Sequence, residues 1–450
     1  MNTTRSTRLT SAIFILIAFA ILFPVFVEYL AGFLLLMWLS REFWNHRQER
    51  LLSLTLKETG SWTLHRGVLA LFASAVIATL LALFLSPYLT QSGTKILRSV
   101  LNAWLRNGML WFTFVSGLML IQTRGVDLLK IIKPLFWLFV IQLVYVLLQR
   151  SIGIDLSHGF TARLPAHRFA YDVFRPSGAF GHPLTFAYNL VLLAINFWVV
   201  LVRYGSALSL TNKRLGWAAF GLLVLTLFLT ASRWPLFVLA VAVAASQPRW
   251  IWRHRKWFAI IAVMLVAFVW WEGTMLGRLK EVLQNQSLAG ASDSRLVFWK
   301  IHLNIFLDFP WSGTGLTGIH EARTVYYEAA GVRDKLYSAH NIFIQTLADS
   351  GLVGFAGLLA FMAGLAAHAF RSRDGSGVFL LVFFLSGLMQ DNFRDSEFLY
   401  AFWVCLAFVV VLGRRFQANG DGWKSRSSKS QTRSVSNASS VVSARLDSKS

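Results

Sequence analysis

The chain has 450 residues, 56% of them hydrophobic and only 14% charged, well short of the roughly one quarter charged that soluble domains carry. Lys and Arg number 43 against 21 Asp and Glu, but the basic residues are dispersed between apolar runs, which argues against nucleic acid as a partner and for positive-inside membrane topology. One cysteine, Cys405, excludes an intramolecular disulfide and any Cys-based metal site.

An apolar run of about 20 residues spans a bilayer, and runs of spanning character lie near 11–25, 27–40, 67–87, 106–122, 134–149, 184–202, 215–230, 235–247, 257–271, 348–370, 377–390 and 399–413. Pro24 and Glu28 interrupt the first stretch, which reads as two short helices or one broken helix. Arg5 and Arg8 precede it and Arg41, Arg47 and Arg50 follow it, so a hairpin with both ends in the cytoplasm is expected. No small-residue cleavage site follows the first run, so it reads as an anchor. Arg124, Lys130 and Lys133, then Arg203, Lys213 and Arg214, then Arg249 to Lys256, then Arg371 and Arg373 mark the later cytoplasmic loops. The expected fold is therefore an all-α polytopic membrane protein of about 12 transmembrane helices, with both termini cytoplasmic. Residues 1–415 form the membrane domain, and the Ser-rich basic segment 416–450 reads as a disordered cytoplasmic tail.

Two external loops are expected, 150–183 and 272–341. The second holds seven basic and seven acidic residues and therefore carries no cytoplasmic bias. Within it, "DSRLVFWKIHLNIFLDFP" (293–310) predicts an amphipathic helix capped by Asp293 and ended by Pro310, with Leu296, Trp299, Leu303 and Phe306 as a stripe facing the membrane surface. Arg295 in its first turn opposes the helix dipole, and reads equally as a functional or an incidental solvated charge. In "ASRWP" (231–235), Arg233 lies at the outer membrane face, either as a site residue or snorkelling to lipid phosphate. "PWSGTGLTG" (310–318) contains the spacing of a dinucleotide-binding loop, but the helical segment before it and the external placement rule that fold out. It remains a Gly-rich turn with backbone N–H groups to offer.

The last segment, "DKLYSAHNIFIQTLADSGLVG" (334–354), leads into an apolar run that already spans the bilayer from 352 to 370. Ser338 is the expected N-cap, which puts His340 in the first turn, where the helix dipole favours neutral imidazole. Gly351, eleven residues on, falls on nearly the same helical face. A capping or hydrogen-bonded role for His340 is as consistent with this segment alone as a role as general base.

Taken together, His340-Asn341, nine residues, Gly351, two residues and Gly354 resemble the signature of the O-antigen ligase family of bacterial lipid-linked oligosaccharide ligases and polymerases. "RPSGAFGHP", "TASRWP" and "DSRLVFWKIHLNIFLDFPWSGTG" occur in the family's order, and the resemblance covers most of 160–400. It implies a glycosyltransferase type C-like fold with a large periplasmic loop, in the bacterial inner membrane. It implies inverting, metal-independent transfer of a glycan from undecaprenyl diphosphate to a sugar hydroxyl of lipid A–core, with no cofactor. By the same resemblance His340, Arg233 and Arg295 are catalytic. Arg175, His182 and Asn341 are weaker candidates for binding the diphosphate. An O-antigen polymerase is the alternative within the class, a protein O-glycosyltransferase comes third, and a small-anion transporter is the alternative outside the class.

Overall fold

The computed structural model describes residues 62–90, 132–153, 169–170, 173–247, 295–315, 318–331, 338–391, 395 and 397–413. The expected spans near 11–25, 27–40, 106–122 and 257–271, the tail 416–450 and the expected cap Asp293 lie outside these residues.

The helices are α1 (Trp62–Leu85), the single turn α2 (Pro87–Thr90), α3 (Ile132–Ile152), α4 (Pro183–Tyr204), α5 (Leu210–Leu229), α6 (Arg233–Ser246), α7 (Arg295–Asp308), α8 (Ile319–Ala329), α9 (Ile342–Ser372), α10 (Ser376–Gly387) and α11 (Glu397–Gly413). A short 3-10 turn, Gly205–Ala207, joins α4 to α5. The expectation of an all-α chain needs one small correction: Phe169–Ala170 and Val173–Phe174 pair as an antiparallel ladder, Phe169 opposite Phe174. Two residues per strand make a pinned loop rather than a sheet. Among the described residues, five helices (α1, α3, α4, α5 and α9) are long and apolar enough to cross a membrane, and α6, α10 and α11 are shorter apolar helices. This is a membrane protein, and each of these eight helices falls on an expected span.

Burial sorts them. In α4, 94% of the apolar window is buried, against 22% for α1 and 28% for α3 and for α5, so α4 is the central pillar and the other three present most of their surface outward. A helix apolar all round is one surrounded on all sides. Phe139 of α3 meets Phe197 of α4 edge-on at 5.4 Å, Trp198 packs edge-on against Trp217 and tilted against Phe220 of α5, and the Asn196 amide donates to the Cys405 carbonyl of α11 at 3.2 Å. On the far side, α1 packs along α9 at close range. A Cβ at Gly67 would stand 3.0 Å from the Ala360 carbonyl oxygen, and one at Gly364 would stand 2.7 Å from that of Thr63. Small residues at such a crossing let backbones approach where lipid supplies no hydrophobic drive.

At the other end of α9 the chain turns sharply into α10. Asp374 is buried there, with one carboxylate oxygen 3.0 Å from His368 Nε2 and the other accepting the Ser376 N–H at 2.8 Å. Burial pushes the Asp374 carboxyl up, but the His368 and Ser376 hydrogen bonds together outweigh it and hold the group below its ordinary value. A depressed carboxylate contributes stability that is full above its unfolded pKa and drains away as pH falls through the lower folded value. Asp374→Asn is therefore expected to lower stability by about 1–3 kcal/mol at pH 7, and the gap from wild type closes below the ordinary carboxylate range. Melting temperatures of both proteins in detergent at pH 7 and pH 3 check this.

Candidate functional site

Three chain segments meet the C-terminal end of α10 and the turn after it, residues 385–391, and a fourth joins them through Ser232. The loop 175–182 arrives first. Gln149, buried at the end of α3, clamps it by accepting the Gly178 N–H at 2.9 Å and donating to the Gly178 carbonyl at 2.8 Å. Gly178 has φ +56, and a Cβ there would collide with the Gln142 amide at 2.1 Å. This clamp sets Arg175, whose guanidinium donates to Ser232 Oγ at 2.8 Å. His182 closes the loop by capping α4, its Nδ1 accepting the Leu184 N–H at 3.2 Å.

Ser232 belongs to the second segment, the tight turn between α5 and α6. Ala231 takes φ +51, a left-handed backbone that costs a non-glycine residue about 1–2 kcal/mol. Arg233 is the first residue of α6, half-buried, and the next residue, Trp234, donates its indole N–H to the Leu385 carbonyl at 2.9 Å. Arg233 thus stands between an anchor on the Arg175 loop and an anchor on the end of α10.

Third comes α7. Its first residue, Arg295, is half-buried with its guanidinium 2.6 Å from Met389 Sδ. The membrane-surface stripe expected on this helix is not its buried face. Phe298, Ile301, His302 and Ile305 are buried against Ile319, Ala322 and Tyr327 of α8 and Ala348 of α9, while Leu303 and Leu307 are exposed and Trp299 and Phe306 are half-buried. The reason is the neighbour: the stripe was chosen against a membrane, but α8 and α9 supply a protein surface that claims the adjoining face of α7. Trp299 has its own task, donating its indole N–H to the Ala339 carbonyl at 2.9 Å.

The fourth segment carries His340, and here two expectations are corrected. The N-cap of α9 is Asn341, not Ser338: the Asn341 amide oxygen accepts from the Phe343 and Ile344 N–H groups at 3.0 and 3.1 Å. His340 therefore lies before the helix, not in its first turn, and holds φ +48. Asn341 Nδ2 donates to the Leu388 carbonyl at 3.3 Å, so its side chain is engaged at both ends in building the corner. The His340 ring tilts against Phe298 of α7 at 6.4 Å between centroids.

The second correction concerns Gly351. α9 is not continuous there: Gly351 has φ +59 and ψ −159, and counting faces from His340 across it does not apply. The break is filled by the turn 310–314. Leu352 and Val353 donate their N–H groups to the Pro310 and Trp311 carbonyls at 2.8 and 3.2 Å, and Thr314 donates its N–H to the Ala348 carbonyl at 3.0 Å. Helix ends leave backbone groups unsatisfied, and this turn satisfies them at the middle of α9. The Gly-rich stretch read as a possible N–H donor loop is thus a splint for a broken helix.

The end of α10 is what sequence reasoning missed. Leu385, Leu388 and Met389 contribute two carbonyls and a thioether, and no motif advertises a backbone carbonyl. Just beyond, Asp395 accepts from Thr185 of α4 at 2.6 Å, from the Gln390 amide, and from the Phe398 N–H at 3.0 Å, tying the hub to the central pillar and to α11. Three described non-glycine residues have left-handed φ (Ala231, His340 and Arg373); one is a candidate site residue itself and Ala231 lies two residues before another, Arg233. Such strain persists only where surroundings over-determine it, as they do at functional sites. Chemically, the segments tied to this hub carry permanent cations, Arg175, Arg233 and Arg295, and two imidazoles, His182 and His340, beside the ends of apolar helices. That combination suits a polyanionic headgroup on a lipid, with a proton acceptor at hand.

No curated protein matches the chain. A family model described as O-antigen ligase matches residues 199–359, a stretch that begins in α4 and runs through α5, α6, α7, α8 and the broken helix α9 past Gly351 and Gly354. Over that stretch the chain is similar to the O-antigen ligase family.

Proposed function

We propose that the protein transfers a glycan from undecaprenyl diphosphate to a sugar hydroxyl of lipid A–core at the periplasmic face of the bacterial inner membrane. The observation that supports this reading is that the Arg233, Arg295 and His340-Asn341 segments are tied to residues 385–389, with Arg175 joined to the Arg233 turn through Ser232, beside apolar helices that can receive the donor's lipid chain. The family supports glycan transfer of the ligase or polymerase type.

In this reading the acceptor hydroxyl gives its proton to His340 as its oxygen forms a bond to the anomeric carbon. The bond from that carbon to the diphosphate oxygen breaks on the opposite face, which inverts the centre. The leaving undecaprenyl diphosphate gains negative charge. Arg295 and Arg233, with Arg175 in support, neutralise that charge through planar, permanently charged donors, so charge stabilisation needs no metal. His182 and Asn341 shape the corner through the caps described above. The topology that goes with this is twelve spans, cytoplasmic termini, a membrane domain over 1–415, external loops at 150–183 and 272–341, and a cytoplasmic tail.

Arg295→Lys keeps a charge but loses the planar fork, and is expected to lower transfer by about 10- to 100-fold at constant protein level, as measured with purified donor and acceptor. The whole reading is tested by a lipopolysaccharide gel from a host lacking its own ligase, complemented by this chain. Restored O-antigen on lipid A–core is the expected result. In a second host lacking its polymerase, whose lipid A–core carries one repeat unit, restoration of long O-antigen by this chain would mean that it acts as a polymerase. Long chains left on the lipid carrier would overturn ligation, and anion flux into liposomes without glycan transfer would favour the transporter.

A further inference from the structure

We propose that Gln345 is a positioning residue that holds the strained turn from which His340 acts; the inference rests on the reading of His340 as the general base. His340 is a non-glycine residue at φ +48, so its conformation is disfavoured unless the residues on both sides are held. They are. On one side, the buried residue Ala339 is held at both of its backbone polar groups: its N–H donates to Gln345 Oε1 at 2.8 Å and its carbonyl accepts from the Trp299 indole at 2.9 Å. On the other side, Asn341 is fixed by its own cap and by the Leu388 carbonyl.

The Gln345 amide can satisfy this arrangement in one orientation. Its Nε2 donates to Asp349 Oδ1 at 2.7 Å, and a carboxylate oxygen requires a donor, so Nε2 faces Asp349 and Oε1 is left for the Ala339 N–H. Gln345 is 1% exposed and Asp349 5%, and in so dry a place an unpaired amide or carboxylate is costly. Asp349 sits one residue after Ala348, whose carbonyl takes the Thr314 N–H at the break in α9. A chain of direct contacts therefore runs from the break through Asp349 and Gln345 to Ala339, the residue before His340. Gln345 reaches six residues back across its own helix start to do this, which adds nothing to the α9 cap that Asn341 already makes. Its bond serves the turn.

Displacing a catalytic group by about 1 Å can cost on the order of 100-fold. Gln345→Met keeps the volume and removes both bonds. It is expected to lower kcat by about 10- to 100-fold with the donor KM unchanged, and to speed hydrogen exchange over 338–344 while the membrane half of α9 exchanges as in wild type. Because Gln345 acts through His340, adding Gln345→Met to His340→Ala is expected to cause no further loss. Trp299→Phe, which loosens the same residue from α7, is expected to lower kcat in the same way by a smaller factor, and keeps the test available if Gln345→Met does not fold. The inference is overturned if a folded Gln345→Met, or in its absence Trp299→Phe, keeps wild-type kcat while His340→Ala is inactive. It is equally overturned if the loss multiplies undiminished on top of His340→Ala, since that marks a structural role. Full activity in His340→Ala would instead remove the reading of His340 as the base, and this inference with it.

Discussion

His340→Ala is expected to lower kcat for glycan transfer by about 10²- to 10⁴-fold, with the donor KM and the melting temperature close to wild type. Removing a general base costs this much because the attacking hydroxyl must then lose its proton to water during bond formation. The stability expectation follows from position. His340 is half-buried, precedes the helix, and the cap of α9 is made by Asn341. Replacing His by Ala in a left-handed backbone leaves that cap, the Ala339 anchors and the Leu388 contact in place. Single-turnover transfer with lipid-linked donor and lipid A–core, alongside thermal unfolding in detergent, separates the two effects. A variant that melts normally and transfers within threefold of wild type, about 0.6 kcal/mol of barrier, would rule out His340 as the base.

Gly351→Ala is expected to fail at an earlier step, in folding. Its φ +59 and ψ −159 fall in a region essentially reserved for glycine, which costs any other residue about 1–3 kcal/mol. The added Cβ would also stand 2.4 Å from the Trp311 carbonyl carbon and oxygen and 2.6 Å from Gly313 N. These are backbone atoms and cannot rotate away. Relieving the clash means withdrawing the turn 310–314, which breaks hydrogen bonds from Leu352, Val353 and Thr314 worth about 1 kcal/mol each. Together the losses come to about 4–6 kcal/mol, comparable with the whole stability of many domains. Little folded protein is expected, with a melting temperature at least 10 °C lower in what remains. Gly221→Ala is the control: a Cβ there meets nothing within 4 Å, and that variant is expected to melt as wild type does. Equal melting of the two variants would show that the break in α9 tolerates a side chain.

Much of the architecture is legible without coordinates because the membrane imposes a one-dimensional rule. Apolar runs long enough to span must be helices, since nothing in hydrocarbon can satisfy an open backbone. That rule places α1, α3, α4, α5 and α9 by length and composition, and α6, α10 and α11 as shorter members. It does not say which face of a helix meets protein and which meets lipid. Periodicity in 293–310 offers several apolar faces, and only the presence of α8 and α9 selects Phe298, Ile301 and Ile305 as the buried one. Cap assignment fails for a related reason. Ser338 and Asn341 are both good caps, and the choice falls to Asn341 because its amide nitrogen also reaches Leu388, a partner 47 residues away.

What the sequence by itself determined is the class of the protein, its eight described apolar helices, and the list of residues with chemistry to offer: Arg175, Arg233, Arg295 and His340. The class, the helices, Arg233, Arg295 and His340 stand out by local composition and spacing, which a linear chain carries intact, and Arg175 only by the family resemblance. What only the tertiary structure decided is which groups hold the segments that carry those residues. The end of α10, the Gln149 clamp on Gly178, the splint at Gly351 and the Gln345 grip on Ala339 are all made by backbone groups or ordinary amides at long sequence separation. A backbone carbonyl is the same in every residue, so no letter in the sequence marks the one that will be used, and packing alone makes that choice.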